Sequence, residues 1–254
     1  MLSSITIWQW RVNKLASEKV AGKQVLRGAP GRAARPWLLM VSIVAAVLFA
    51  VNTLLVLNHL TSGIDVRLEV LAQSVPWGPL IPVMNFTNRT GGLIQDAAGA
   101  AIVIGMLIFE RRAGLLMAFG AGGSLLAQIF KVALGRHRPG IDVVKVLDPS
   151  NGYSYPSGHA VFFTWIALML AISLVPHLSR KWRIVAWTLA AALIFVGGMG
   201  RVWAGAHWPS DVTGGIFLAI SWCAFVLWFP ERFFPRAEVV PDEGGRQKRV
   251  RKAA

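Results

Sequence analysis

The sequence predicts an all-α protein, a bundle of six transmembrane helices with both termini in the cytoplasm. Hydrophobic residues make up 55% of the chain and charged residues only 15%, which is far from the composition of an average soluble protein. Six apolar segments each approach the roughly 20 residues that a helix needs to cross a bilayer. Basic residues are concentrated in the two tails and in alternate connections between these segments. Together these features predict an integral membrane protein.

The charge balance restricts the partners of the chain. There are 26 Lys and Arg residues against 12 acidic ones, which gives a net charge of +14. A charge of this sign fits nucleic acid or anionic lipid, but its placement between apolar runs and in the tails indicates lipid headgroups. We therefore expect a lipid bilayer and no nucleic acid as partner.

Cysteine content and the amino terminus add two further expectations. Cys223 is the one cysteine and lies in an apolar run, so an intramolecular disulfide and a cysteine-based metal site are excluded and a packing role is expected. Near the amino terminus we find no short apolar core followed by small residues, so no removable signal peptide is predicted. The first membrane helix is expected to target the chain.

The chain divides into three predicted regions. Residues 1–36 form a basic cytoplasmic tail, residues 37–230 the membrane domain, and residues 231–254 a charged cytoplasmic tail. The first tail has two interpretations, an interfacial amphipathic helix or a solvated basic segment that stays on the cytoplasmic side. We prefer the second.

The first outer loop is the longest connection between the predicted membrane segments. This loop, residues 58–92, is rich in Pro and Gly and is interpreted either as an interfacial lid beside the site or as an ordinary connection. The second apolar segment is the shortest and contains Asp96, for which a helix-packing hydrogen bond is preferred over a role in a pocket. The six segments cover residues 37–57, 93–109, 113–133, 158–175, 184–203 and 210–229.

The distribution of basic residues predicts the orientation. The proposed inner side carries nineteen Lys and Arg residues and the outer side seven, so the positive-inside rule places both termini in the cytoplasm. A bilayer does not tolerate several of the outer cations without a function, so their shared side is informative. The seven are Arg67, Arg89, Lys131, Arg136, Arg138, Lys145 and Arg201.

The connection between the last two segments carries the strongest chemical signal. If Pro209 begins the last helix, Asp211 lies in its first turn and reaches a ring nitrogen of His207. A neutral imidazole that a carboxylate holds in one tautomer is a nucleophile or a base at its other nitrogen. Arg201, six residues upstream of His207, is placed to hold the anion that the imidazole attacks.

The end of the third segment supplies two more cations. Lys131 lies two helical turns before Arg138, and Pro139 forces the chain out of the helix. Both cations can therefore face one rim. For either residue alone, a snorkelling lysine or a basic loop is the simpler interpretation.

The loop before the fourth segment leads directly into a helix. A helix amino terminus presents unpaired N–H groups and a partial positive charge, which bind phosphate. Gly158 lets the backbone approach an oxygen closely, and Ser157 adds a hydroxyl donor. His159 lies in the first turn, although a hydrogen-bonded core histidine is the preferred interpretation of this residue alone.

The predicted topology brings these three stretches to the outer ends of helices three to six. Three cations, two histidines, one carboxylate and a helix amino terminus on one face predict a site for a multiply charged anion, with acid and nucleophile present. No carboxylate cluster is available for Mg²⁺ or Zn²⁺, so neither a metal nor a cofactor is predicted. No chemistry is assigned to His59 and His177, and for His137 an exposed loop histidine is preferred over a contact to phosphate beside Arg138.

In this order the motifs resemble the tripartite signature of the type 2 phosphatidic acid phosphatase (PAP2) superfamily. The resemblance covers about residues 93–229, and the family shares its core helical bundle with vanadium haloperoxidases. The motifs are Lys131-x6-Arg138-Pro139, Pro156-Ser157-Gly158-His159 and Arg201-x5-His207-x3-Asp211.

The resemblance implies a metal-independent reaction in two steps. His207 attacks phosphorus to form a phosphohistidine and Asp211 supports it, while His159 protonates the leaving oxygen and later helps to activate water. The family usually has Ser before the arginine of the third motif, but this chain has Gly200, which removes one hydroxyl contact to phosphate. The implied phosphate-binding residues are Lys131, Arg138, Arg201, Ser157 and Gly158.

We therefore expect a lipid phosphatase of the bacterial inner membrane with its site at the periplasmic face. Its substrate would be a lipid phosphate or diphosphate: undecaprenyl diphosphate first, then phosphatidylglycerol phosphate or phosphatidic acid, following the usual bacterial roles of the family. Two alternatives are a lipid phosphotransferase that uses the same phosphohistidine and a non-enzymatic anion or lipid transporter. A haloperoxidase is disfavoured because those enzymes are soluble. No oligomeric state is predicted.

Overall fold

The structure, a computed structural model, describes residues 36–229, 238–241 and 247–250. The predicted tail 1–36 lies outside the described residues apart from its last residue, and so does most of the tail 231–254. The interpretation of both tails, and their cytoplasmic side, therefore stays a prediction.

The described residues form nine α-helices, one 3₁₀ turn and a short hairpin. The all-α prediction is confirmed for the membrane domain, whereas the antiparallel pair β1 (Glu238–Pro241) and β2 (Gln247–Val250) lies in the tail and was not predicted. The helices are α1 (Pro36–Leu57), α2 (Ser62–Ser74), α3 (Leu80–Arg89), α4 (Leu93–Phe109), α5 (Arg111–Gly120), α6 (Gly122–Leu134), α7 (Gly158–Leu174), α8 (Arg180–Trp203) and α9 (Pro209–Trp228); the 3₁₀ turn Val175–His177 follows α7.

Within the described residues, five spans are long and apolar enough to cross a membrane, and the count is six if one bent helix pair is a single span. The predicted third segment is a single span made of α5 and α6. The predicted second segment corresponds to α4, which reaches spanning length only together with α3, and the two helices are bent by 93°. Gly92 lies at this bend with a φ of 58°, a left-handed conformation that glycine adopts without strain.

The first outer segment, residues 58–92, is not a loop over its whole length, because it contains α2 and α3. Pro76, Gly78 and Pro79 lie at the junction between these helices. On α2, the polar residues Asp65, Glu69 and Gln73 are spaced four apart and therefore share one helix face. This face turns toward the bundle: Asp65 and Glu69 are buried, and Gln73 donates to the Trp203 carbonyl oxygen at 3.2 Å.

Helices α7 and α9 form the centre of the bundle. They pack against each other, α9 also packs against α1, and α7 also packs against α5, α6 and α8. Cys223 on α9 is buried in this core, as expected for a packing residue. Helices α1 and α8 instead expose large apolar side chains, as a lipid-facing surface does. Examples are Val44, Leu48, Leu54, Ile184, Leu189 and Phe195.

Polar contacts fix α1 to the central helices. The Ser42 hydroxyl donates to the Ser221 carbonyl and the Ser221 hydroxyl to the Ser42 carbonyl, each at 2.9 Å. Near the other end of α1, Asn52 donates to the Tyr155 hydroxyl at 3.1 Å, and the Thr53 hydroxyl lies 2.7 Å from it. Such bonds between helices matter in lipid because no water satisfies these groups there.

Glycine 215 allows α9 to approach the beginning of α7. A Cβ at this position would lie 2.7 Å from the Ser157 carbonyl oxygen and 3.0 Å from the Ala160 Cβ, so Gly215→Ala forces backbone to move. We expect a loss of about 1–3 kcal/mol of stability, measured as a lower unfolding temperature in detergent. Gly63→Ala is the control, because a Cβ there meets nothing within 4 Å. Equal effects of the two substitutions would contradict this account of the packing.

Glu69 is fully buried on α2, and neither carboxyl oxygen has a hydrogen-bond partner. The pKa of Glu69 is raised from 4.5 to about 8. Burial is the largest cause, and the negative charges of Asp211 and Asp65 add to it. Between about pH 4.5 and pH 8, the Glu69 carboxyl group therefore keeps its proton in the folded protein and releases it in the unfolded chain. It follows that the contribution of Glu69 to stability falls as the pH rises from about 4.5 to about 8.

The substitution Glu69→Gln keeps the shape of the side chain and removes the titrating group. We expect the variant and the parent protein to unfold at similar temperatures near pH 4.5, and the variant to unfold at the higher temperature near pH 8, since only the parent loses stability across about that range. Thermal unfolding of the purified proteins at several pH values measures the difference. A difference that stays constant with pH would refute the assigned proton.

Candidate active site

The junction between α8 and α9 holds a buried His–Asp pair. Pro209 is the first residue of α9, as the sequence predicts, and Asp211 lies in its first turn. Asp211 Oδ2 accepts from the Trp208 N–H at 2.9 Å and lies 3.4 Å from His207 Nδ1. Only 2% of His207 and none of Asp211 is exposed. The contact favours the tautomer with its proton on Nδ1, which leaves a lone pair on Nε2.

The other nitrogen of His207 faces a cation. Arg138 Nη1 lies 3.1 Å from His207 Nε2, and with the proton on Nδ1 it donates to the Nε2 lone pair. Burial above all, and then the charges of Lys131, Arg138 and Arg201, lower the pKa of His207 well below its usual range. The imidazole is therefore neutral near pH 7, which is the form in which nitrogen is a nucleophile.

The first motif brings its two cations to a common acceptor. α6 ends at Leu134, and Gly135 follows in the left-handed conformation, so the chain turns away before Arg138. Lys131 Nζ donates to the Tyr153 carbonyl at 3.0 Å, and Arg138 Nη2 reaches the same oxygen at 3.3 Å. The structure thus places both side chains on one rim, as the spacing predicts.

The second motif begins α7 at Gly158, with Ser157 as its N-cap. The Ser157 hydroxyl accepts from the Ala160 N–H at 3.5 Å and is fully buried, so at rest it caps the helix. The Ser157 N–H donates to the Asp211 carbonyl at 3.0 Å, which joins the second motif to the third. A Cβ on Gly158 would lie 3.8 Å from Lys131 Cε, so this part of the backbone is next to the first motif.

His159 lies in the first turn of α7 with its Nε2 buried and without a hydrogen-bond partner. The bend between α3 and α4 covers its ring, because a Cβ on Gly91 would lie 3.0 Å from His159 Cε1. The bend therefore lies directly beside the site. An unpartnered buried nitrogen is costly to keep, which makes His159 Nε2 a candidate contact for a bound molecule.

Arg201 is held by the loop between α6 and α7 and by α3. Its Nη1 donates to Asp148 Oδ2 at 2.7 Å and to Asn88 Oδ1 at 3.3 Å, and its Nη2 to the Ser150 hydroxyl at 2.7 Å. Asn88 Nδ2 also donates to the Gly200 carbonyl at 3.1 Å. A Cβ on Gly200 would lie 3.4 Å from Asn88 Oδ1. Glycine at the position that usually carries serine in the family therefore leaves room for the Asn88 amide.

Sequence reasoning missed Arg136, whose guanidinium lies behind the His–Asp pair. Its Nη1 donates to Asp211 Oδ1 at 2.6 Å and its Nη2 to Asp65 Oδ2 at 2.7 Å. Arg136 lies inside the first motif but was counted only as a basic residue of the outer side. The signal for Asp65 was the four-residue spacing of polar residues on α2, within a segment interpreted as a loop.

Taken together, the predicted residues lie in one neighbourhood. The charges of Lys131, Arg138 and Arg201 all lower the pKa of His207. Two other polar residues point elsewhere, because the side chains of Asp96 and His137 are exposed. Within the part of the chain that the structure describes, no three His, Cys, Asp or Glu side chains are arranged to hold a metal ion.

Comparisons with known proteins identify a family and several relatives. The family model of the PAP2 superfamily matches residues 111–235. An undecaprenyl-diphosphatase from Sulfolobus acidocaldarius is 27% identical over 168 residues, which cover 65% of this chain and 68% of the relative. A phosphatidylglycerophosphatase B from Bacillus subtilis is 31% identical over 137 residues, or 52% of this chain and 66% of the relative.

The fold also matches a solved structure. The crystal structure of a transmembrane PAP2-type phosphatidylglycerolphosphate phosphatase from Bacillus subtilis superimposes with a TM-score of 0.63, covering 76% of this chain and 96% of that chain at 23% identity. Residues 111–235 therefore form a PAP2-superfamily region, and the apolar helices make the chain an integral membrane protein.

Proposed function

We propose that this protein is a lipid phosphatase that cleaves its substrate through a phosphohistidine on His207. The observation that carries the proposal is the imidazole of His207, which lies between a carboxylate at Nδ1 and the Arg138 guanidinium at Nε2. Asp211 supports the positive charge that the ring acquires on attack, while Arg138 marks where the attacked anion is held. This is the arrangement that a nitrogen nucleophile for a phosphoester needs.

In the first step, His207 Nε2 attacks phosphorus. A P–N bond forms and the P–O bond to the lipid breaks, with His159 giving a proton to the leaving oxygen. The leaving group is a lipid alcohol for a monophosphate and a lipid phosphate for a diphosphate. The buried, unpartnered Nε2 of His159 supports this role, because the substrate oxygen would be its missing partner.

In the second step, water replaces the imidazole. His159 takes a proton from the water as its oxygen attacks phosphorus, the P–N bond breaks, and inorganic phosphate leaves. His207 returns to its neutral form, and His159 is again protonated for the next turnover. No redox change occurs in this cycle.

The phosphate oxygens are held by Lys131, Arg138 and Arg201, with the amino terminus of α7 at Ser157 and Gly158. At rest the first two cations donate to neutral backbone carbonyls, which are weaker partners than a phosphate dianion. Fixed cations of this kind stabilise the charge of the transition state without a metal ion. We therefore propose a metal-independent reaction.

The names of the relatives support the substrate class. One is an undecaprenyl-diphosphatase and another a phosphatidylglycerophosphatase, and both names describe lipids with a terminal phosphate. We rank undecaprenyl diphosphate first, then phosphatidylglycerol phosphate and phosphatidic acid. The excess of basic residues on the side of the termini supports a periplasmic active site in a bacterial inner membrane.

Phosphate release from a panel of lipid phosphates and diphosphates tests the proposal. We expect the purified protein in detergent to release inorganic phosphate without any added acceptor and in the presence of EDTA. His207→Ala should reduce turnover by at least about 10³-fold, since the nucleophile is lost, while the protein stays folded. Orthovanadate should inhibit, because it imitates the phosphoryl transition state.

Several results would overturn this assignment. Near-normal turnover by His207→Ala would show that His207 is not the nucleophile. Release of phosphate only when a lipid or sugar acceptor is added would identify a phosphotransferase. Activity that EDTA abolishes and Mg²⁺ restores would require a metal site that the proposed mechanism lacks.

The acid role of His159 has a separate test. His159→Ala should slow hydrolysis of a substrate with a poor leaving group, such as phosphatidic acid, far more than that of an aryl phosphate, whose leaving group needs no proton. The difference in kcat should reach about 10²-fold, the usual contribution of general acid catalysis. Equal losses on both substrates would show that His159 is not the acid.

A further inference from the structure

We infer that Arg136, held by Asp65 of α2, is a positioning residue for the nucleophile and acts through Asp211. This inference rests on the proposed function. The chain of contacts runs from Asp65 to Arg136, from Arg136 to Asp211, and from Asp211 to His207. Arg136 touches neither His207 nor the proposed phosphate site, so its effect on the reaction must pass through the Asp211 carboxylate.

The two oxygens of Asp211 have separate partners. Oδ1 accepts from Arg136 at 2.6 Å, while Oδ2 accepts from the Trp208 N–H at 2.9 Å and faces His207 at 3.4 Å. Because both oxygens are fixed, the carboxylate plane cannot rotate away from the imidazole. The Arg136 guanidinium also lies 5.8 Å from the Trp208 ring centre, which limits its own movement.

Asp65 fixes the far side of Arg136. Its Oδ2 accepts from Arg136 Nη2 at 2.7 Å and from the Ser210 hydroxyl at 2.7 Å, and its Oδ1 accepts from the Ser210 N–H at 2.9 Å. The Ser210 hydroxyl in turn accepts from Arg136 Nη1 at 2.7 Å. A neutral residue of α9 is thereby included in the network, and every oxygen of the two aspartates has at least one donor.

Burial gives the network its importance. Asp211 is fully buried and Asp65 is 2% exposed, so neither carboxylate can rely on water for solvation. A buried carboxylate without a cation tends to take up a proton, and a protonated Asp211 would not support a positive imidazole. Arg136 keeps Asp211 in the ionised form that the proposed attack requires. Residues that hydrogen-bond to the ligands of a metal ion have a similar effect on those ligands.

A purely structural ion pair is the competing explanation, and a double-mutant cycle separates the two. We would measure kcat and KM for Arg136→Gln, Asp211→Asn and the double variant with one lipid phosphate from the panel. We expect Arg136→Gln to lower kcat by about 10- to 100-fold with little change in KM or in the inhibition constant of orthovanadate. In the Asp211→Asn background the same change should cause no further fall, since its route to His207 is already lost.

Arg138→Gln is the matched control, two residues along the same segment. Arg138 contacts the nucleophile and the proposed phosphate site directly, so its substitution should weaken orthovanadate binding and lower activity further in the Asp211→Asn background. Additive losses for Arg136→Gln, or a loss confined to KM, would overturn the inference while leaving the phosphatase intact. A parent protein that releases no phosphate from any lipid would overturn both.

Removal of a buried cation can also unfold a protein. Gel filtration and the unfolding temperature in detergent detect this. If Arg136→Gln does not fold, the cycle is repeated with Asp65→Asn, which keeps Arg136 and its bond to Asp211 but loosens its other side. We then expect a smaller fall in kcat that again disappears in the Asp211→Asn background, and an unchanged kcat for Asp65→Asn would contradict the role of α2.

Discussion

The accumulation of positive charge around one buried imidazole is the constraint on which the site depends. Burial lowers the pKa of His207, and the charges of Lys131, Arg138 and Arg201 lower it further. Like charges so close together repel, so each cation needs acceptors at rest. Backbone carbonyls serve Lys131 and Arg138, and the Asp148 carboxylate serves Arg201. In the proposed reaction a phosphate replaces these partners, and its charge relieves the repulsion.

The membrane bundle keeps these groups in place. α7 and α9 are the most buried helices of the described bundle, and both begin at the site, so their first turns cannot shift without disturbing the core. The Ser157 N–H bond to the Asp211 carbonyl joins the two helix starts directly. Close packing at Gly215 serves the same purpose. Rigidity of this kind is what a preorganised site requires, because catalysis depends on donors that are already aimed.

The sequence predicted the parts of this protein that short-range rules determine. Apolar segment length predicted the spans, Pro209 predicted the start of α9, and the spacing of Lys131 and Arg138 predicted their common rim. It did not predict α2 and α3, because proline and glycine at their junction made the whole segment resemble a loop. Asp65 was therefore not connected with the site, since a contact between residues 71 positions apart leaves no local signal.

Next to the bend between α3 and α4, Asn88 contacts Gly200 and Arg201, which are more than 100 positions away in the sequence. The family usually has serine before the third-motif arginine, and Gly200 leaves that position without a side chain. Asn88 of α3 uses the space: one end of its amide donates to the Gly200 carbonyl and the other accepts from Arg201. The same bend places Gly91 against the ring of His159. A segment without any motif residue thus contacts both Arg201 and His159, the proposed phosphate-binding arginine and the proposed acid.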